Sequence, residues 1–289
     1  MSLKKEDNFG IIDIGSNTVR GVVYKNRTPK KGSIVFRSDI LEQTCEGVLS
    51  YDGIKKLLGN IKKSIEYFKE NGCTCWYAFA TSAMRDVKNF GEVFDKVKSE
   101  TGIEIELISG DEEAECDFRA LLTVCPEGGI GVDLGGGSAQ VIAFDKNGVI
   151  EAKSFPIGVK RMRQGFTAKM VPTPDEAEKI EKEIKSALSE IKSKSTVVWF
   201  MGGTAKAVAI ASSALFSKSE ITPGIIDEIY EMTSGNVGLS KKLFNKRYQL
   251  MPTGLKVMKA IAESVGAEVI RVTDVGVRDG YVERIFKSN

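Results

Sequence analysis

Two stretches of this chain follow one plan. Residues 9–24 read FGIIDIGSNTVRGVVY and residues 129–144 read GIGVDLGGGSAQVIAF. Each is an apolar run closing on a single aspartate, Asp13 or Asp133, then a turn rich in glycine and small polar residues, then a second apolar run. That pattern predicts two strand–turn–strand hairpins. Their aspartates lie about 120 residues apart, too far for a solenoid repeat and right for a duplication at domain scale. A chain of 289 residues has room for two such domains. The segment CPEGG, residues 125–129, is the natural divide, so the expected domains are 1–126 and 127–289.

Strands and helices alternate along the rest of the chain, which predicts an α/β fold. Ile54, Leu57, Leu58, Ile61, Ile65 and Phe68 recur at helical spacing, and Asn71-Gly72 ends that run. CWYAFAT (75–81) reads as a strand, residues 90–102 as a helix and IEIELI (103–108) as a short strand. A helix follows, with Ser109 as its cap and Asp111, Glu112 and Glu113 in its first turn, where the helix dipole favours acids. The second half adds a long amphipathic helix over 175–194, buried strands at 196–203 and 267–274, and a closing helix in VRDGYVERIF.

Composition removes several chemistries. There is no histidine, which excludes histidine-dependent triads and histidine metal sites. Acid–base work falls to carboxylates, Lys, Tyr, Cys or metal-bound water. The five cysteines are an odd number, and the Cys73/Cys75 pair lacks a partner pair at zinc-site spacing. Structural thiols and a reducing cytoplasm are therefore expected. A net charge of +2, from 41 basic and 39 acidic residues, argues against a broad nucleic-acid-binding surface. No apolar run of about 18 residues predicts a membrane span, and the polar start MSLKKEDNFG does not read as a secretory signal.

The two turns carry a specific chemistry when taken together. Glycine lets backbone N–H groups approach a ligand closely, and such groups bind phosphate oxygens. An aspartate at the end of the preceding strand can hold a cation, usually through water, that neutralises those phosphates. Either turn alone is compatible with an ordinary hairpin, whereas the matched pair points to a phosphate chain held from two sides.

DIGSNTVRGVVY, ATSAMRD, LISGDEEA, VDLGGGSAQ, SFPIGVKRM, FMGGTAKAVA and VTDVGVRDGYV occur here in order. In this the chain resembles the exopolyphosphatase/guanosine pentaphosphate phosphatase family from about residue 9 to 283. The resemblance implies the fold of actin, the heat-shock ATPases and the sugar kinases: two ribonuclease H-like domains flanking a phosphate-binding cleft. It also implies a short form without the helical extension of longer relatives. Asp13, Gly15, Ser16 and Asn17 match the first phosphate loop; Asp133, Gly135, Gly136, Gly137 and Ser138 match the second. Gly202, Gly203 and Thr204 match the loop that borders the nucleoside in ATPases of this fold. Arg85 matches a phosphate-binding arginine, and Glu113 a general base that orients a water for in-line attack. The resemblance further implies Mg²⁺ or Mn²⁺ at Asp133 and Asp13 and a polyphosphate or guanosine/adenosine nucleotide ligand; a homodimer is compatible with the chain, and no sequence feature fixes it. On the residues alone, Asp111–Glu113 also read as ordinary helix-start acids. Lys160, Arg161 and Arg163 read either as contacts for a polyanion or as a solvated cluster.

Three departures from the family pattern stand out, one of them the stretch ILEQTCEGVL after Arg37, where the family usually has Arg-Leu-Gly. The family usually reads GGGSTE in the second loop, where this chain has Ala139 and Gln140. It also carries an Arg-Ala-Asp segment near a proline, where Thr253, Gly254 and Leu255 stand here. Glutamine donates hydrogen bonds but cannot take a proton or bind Mg²⁺ strongly. Three activities therefore remain as expectations: hydrolysis of terminal phosphoanhydrides, ligand binding by a catalytically weakened relative, and ATPase or kinase action of the same fold.

Overall fold

In the computed structural model the described residues are 8–16, 18–26, 28–30, 32–217 and 220–287. The chain divides into two compact units, residues 1–113 with 280–289, and residues 114–279.

In the first unit, β1 (Asn8–Ile14) and β2 (Thr18–Lys25) form the expected antiparallel hairpin, with Asp13 opposite Arg20. Short β3 (Thr28–Pro29) and β4 (Ile34–Arg37) both pair with β2. After α1 (Ile40–Gln43) comes a small ribbon of β5 (Thr44–Cys45) and β6 (Val48–Leu49). The long helix α2 (Tyr51–Glu70) starts where the Ser50 hydroxyl accepts the Gly53 N–H at 3.1 Å. Its apolar stripe packs on one sheet face, where Ile12, Ile14, Val19 and Val23 project. β7 (Cys75–Ala80) runs parallel to β1; then come α3 (Ser82–Arg85), α4 (Phe90–Thr101) and the edge strand β8 (Ile105–Leu107). Helix α5 (Gly110–Leu121) leaves this sheet through the two-residue turn Ile108-Ser109.

The second unit repeats the first. β9 (Gly128–Leu134), β10 (Ala139–Asp145) and β11 (Gly148–Phe155) form an antiparallel meander. Helices α6 (Val159–Phe166) and α7 (Pro174–Ala187) follow, α7 shorter than the expected 175–194 because it tightens into a 3₁₀ turn at Leu188–Glu190. Next come β12 (Val197–Met201), α8 (Gly203–Phe216), α9 (Pro223–Ser234), α10 (Val237–Phe244), α11 (Met251–Ser264), β13 (Val269–Val272) and α12 (Val277–Lys287). The strand orders, β3-β2-β1-β7-β8 and β11-β10-β9-β12-β13, are the same topology twice. Val132, Val141, Val198 and Phe200 pack with Ile180, Ile184, Val208 and Ile261 in the main core of this unit. On the opposite face Ala114 and Leu121 of α5 meet Ile142, Phe144 and Met201.

The units are not cut at 126/127. The change falls inside α5, between Glu113 and Ala114, because the apolar stripe of that helix from Ala114 onward belongs to the second core. It falls again inside α12, whose residues from Gly280 belong with the first unit. There Tyr281 lies 4.4 Å from Phe79 and Phe286 lies 5.5 Å from Phe9, ring centre to ring centre. Among the described residues no helix is long and apolar enough to cross a membrane.

Candidate phosphate loops and acid–base pair

In the first unit, half-buried Asp13 is the penultimate residue of β1, and Gly15 N–H donates to Thr18 O at 2.9 Å to close the hairpin. Ser16 is buried within this turn. Asn17 lies outside the described residues.

Arg85 and Glu113 meet in the same unit. Thr81 N–H donates to Ile14 O, so the start of α3 is tied to the end of β1. Arg85, the last residue of α3, donates through Nη1 to Ile108 O at 2.8 Å and through Nη2 to Glu113 Oε2 at 2.9 Å. Glu113 is 6% exposed. Its position follows from a reciprocal cap: Glu112 N–H donates to Ser109 Oγ at 3.1 Å, and Ser109 N–H donates to Glu112 Oε2 at 2.8 Å. The amide of Ser109, aided by Arg284, holds the Glu112 carboxyl below its ordinary range, against the opposing effect of burial. Glu113 is thus a buried acid in a fixed ion pair, unlike a solvated helix-start residue.

The second unit shows how a glycine loop is shaped. Gly135 N–H donates to Ser138 O at 3.0 Å. The carbonyls of Gly135 and Gly136 accept from the N–H groups of Val159, Lys160 and Arg161 at 2.8–3.1 Å, and Gly137 O accepts from Arg161 Nε at 2.8 Å. In a trans peptide the carbonyl of one residue points opposite to the N–H of the next. The N–H groups of Gly136, Gly137 and Ser138 therefore point away from α6. Among the described residues none of the three donates to a protein acceptor. Gly158 makes this docking possible, because a Cβ there would sit 2.5 Å from backbone atoms of Gly136 and Gly137. SFPIG is the brace of the glycine loop, a role sequence reasoning did not assign.

Asp133 is the penultimate residue of β9, with Gln140 directly opposite on β10 and Met201 beside it on β12. Gly202 adopts φ 93°, and a Cβ there would lie 2.9 Å from Asp133 Oδ1 and 2.6 Å from Leu134 O. Only glycine fits a left-handed backbone pressed that closely on a carboxylate. Thr204 is buried at the start of α8. Gln140, 1% exposed, donates through Nε2 to Ser138 Oγ at 3.0 Å and to Ser154 Oγ at 2.8 Å. The side chain that departs from the family pattern thus braces the last residue of the loop.

Arg247 is the residue that sequence reasoning missed. Its guanidinium lies over Gly203, so closely that a Cβ at Gly203 would meet Nη2 at 2.2 Å. No carboxylate pairs with it among the described residues, and burial pulls its pKa down from the ordinary arginine value. Thr253, Gly254 and Leu255 are buried core positions of α11. The one available signal for Arg247 was the basic pair Lys246-Arg247 ahead of Pro252. Lys160 is 4% exposed, which rules it out of a solvated cluster.

Among the described residues no three acidic or cysteine side chains gather as a metal cage. Asp133 beside the glycine loop, taken by itself, has the chemistry to hold a hard cation coordinated mainly by water and phosphate oxygens, as Mg²⁺ often is.

A model of the Ppx/GppA phosphatase family matches residues 38–289. Exopolyphosphatase 1 of Mycobacterium tuberculosis is 31% identical over 166 residues, 53% of this chain and 47% of that protein. A bifunctional 3-dehydroquinate synthase/phosphatase of Fusobacterium nucleatum is 29% identical over 184 residues, 56% of this chain and 27% of its own. The chain spans about half the length of the exopolyphosphatases it matches. A Ppx/GppA family structure from Aquifex aeolicus superposes with a TM-score of 0.80 at 24% identity, covering 98% of this chain and 99% of its own. An exopolyphosphatase structure from Cytophaga hutchinsonii gives 0.86 at 18% identity, covering 98% of each. These two likenesses establish the fold.

Proposed function

We propose that this chain, which belongs to the Ppx/GppA phosphatase family, hydrolyses the terminal phosphoanhydride bond of inorganic polyphosphate or of a (p)ppGpp-type nucleotide in the cytoplasm. The observation that carries the reading is the glycine loop, whose three N–H groups point away from α6 beside Asp133. Backbone donors so arranged suit phosphate oxygens and need no rearrangement as charge develops on them. Gly202, Gly203 and Thr204, with Arg247 above them, extend the same anion-binding surface. Asp13, Gly15 and Ser16 would serve as the corresponding loop of the first unit, with Asn17 included on sequence grounds alone.

Glu113 accepts a proton from a water as that water's oxygen bonds to the terminal phosphorus. The bond from phosphorus to the bridging oxygen breaks, and the shortened chain leaves with the electron pair. Arg85 holds Glu113 by one nitrogen and a backbone carbonyl by another, which fixes the direction of the base. Asp133 and Asp13 are the carboxylates that would hold Mg²⁺ or Mn²⁺, which would supply charge to offset that of the phosphates. The protein's work in such a reaction is chiefly positioning and charge neutralisation.

The test is phosphate release from medium-chain polyphosphate with Mg²⁺, with ATP as a control substrate. Wild type should turn over, EDTA should stop it, and Glu113→Gln should lose about 10²–10⁴-fold in kcat. Unchanged turnover in Glu113→Gln removes Glu113 from the chemistry. A second reading, ligand binding without turnover, is favoured by Gln140, which leaves a neutral amide opposite Asp133. Tight polyphosphate binding with no phosphate released would select it, and preferential ATP hydrolysis would select an ATPase.

A further inference from the structure

The turn from β8 to α5 is held on two sides by arginines. Arg85 grips it through Ile108 O and Glu113. On the other side stands Arg284 of α12. Its Nη2 donates to Glu106 Oε1 on β8, and its Nη1 donates to Glu112 Oε1 on α5 at 3.1 Å. Tyr281, one helical turn earlier, donates from its hydroxyl to the other oxygen of Glu106 at 2.8 Å. The Arg284 guanidinium lies 4.9 Å from the Tyr281 ring centre, so two residues of α12 act as one clamp. Glu112 passes the constraint on, since its second oxygen accepts the Ser109 N–H and Glu113 N–H donates to Ser109 O at 3.0 Å. A continuous polar path therefore runs from Arg284 through Glu112 and Ser109 to the backbone of Glu113. All these groups lie in the first unit.

We infer that Arg284 is a positioning residue: it fixes the first turn of α5, and with it the direction of the Glu113 carboxylate, from the far end of the chain. The inference rests on the reading of Glu113 as general base. Partly exposed ion pairs such as these add little to global stability, since solvent screens them. Orientation is a different matter, because a base displaced by a fraction of an ångström loses rate without loss of fold. A planar guanidinium offers each carboxylate its own nitrogen in a fixed direction, whereas an ammonium presents a single, freely turning nitrogen.

The experiment compares wild type, Arg284→Ala, Arg284→Lys, Glu112→Gln and the Arg284→Ala/Glu112→Gln double variant. It reads kcat and KM on polyphosphate, thermal unfolding, and hydrogen exchange of the amides at 110–115. Arg284→Ala should lower kcat roughly ten-fold at nearly constant KM and melting temperature, and speed exchange in the first turn of α5 by about five-fold. Arg284→Lys should recover part of kcat. The double variant should be little worse than Arg284→Ala, because both substitutions break one path. Wild-type kcat and exchange in Arg284→Ala would overturn the inference, as would a loss of kcat matched by a loss of fold in all the variants. If wild type releases no phosphate, the proposed function falls. Exchange alone then decides: faster exchange at 110–115 upholds the clamp, and unchanged exchange refutes it.

Discussion

At the scale of single residues, Gln140 and Arg247 change the picture most. Gln140 is buried, and both its recorded bonds are donated, to Ser138 and Ser154. A glutamate there could only accept, and it would put a buried charge opposite the half-buried Asp133. Gln140→Glu should therefore melt at a lower temperature than wild type in EDTA and recover in Mg²⁺, as scanning calorimetry would record. A deficit that Mg²⁺ leaves untouched would place the cation away from Asp133. Arg247 is desolvated over Gly203, with no carboxylate beside it among the described residues. Its removal should relieve burial cost, so Arg247→Ala should fold at least as stably as wild type. Polyphosphate affinity by titration calorimetry should drop about 10- to 100-fold, the usual worth of charged hydrogen bonds. Undiminished affinity would mean that the guanidinium only packs on the loop.

At the scale of elements, the second hairpin turn is not self-supporting. Its carbonyls are held by the first N–H groups of α6, and Gly158 lets the two backbones touch. Gly158→Ala pushes a methyl into that contact and should cost about 1–3 kcal/mol of stability in urea unfolding. It should also weaken polyphosphate binding, since the three N–H groups lose their aim; normal binding in a destabilised protein would separate the loop from the ligand. Helix α5 makes a second element-scale prediction. The folded Glu112 carboxyl titrates below its unfolded value, mainly because the Ser109 amide binds its charged form. The cap thus contributes fully above the unfolded glutamate pKa of about 4.3 and is lost as pH falls through the lower folded value. Exchange of the amides at 110–113, after correction for intrinsic rates, should rise over that acidic range in wild type. In Glu112→Gln it should lack this dependence.

At the scale of the whole chain, one topology occurs twice, and the chain passes between the two compact units within α5 and within α12. Tyr281 and Phe286, from the last helix, pack on Phe79 and Phe9 of the first sheet. A chain ending at Asp279 exposes that face. It should lose about 3 kcal/mol or more of stability for each aromatic removed, and should expose the first unit to limited proteolysis before the second. Resistance equal to that of the full chain would show that α12 adds nothing to the first core.

The duplication, the two hairpins and the loop residues were legible from sequence alone, because strand alternation, glycine turns and ordered motifs are local properties of the chain. Asp13, Asp133 and the glycines needed no tertiary information to be singled out. What only the tertiary structure decided lies between distant segments: the Arg85–Glu113 pair, 28 positions apart, and Gly158 beneath the loop. It also brought Arg247 onto Gly203 and set the change of unit inside α5 rather than at Pro126-Glu127. Pattern fixes which residues face a core, whereas contact between remote segments depends on how whole elements pack. No local rule of composition or spacing records that packing.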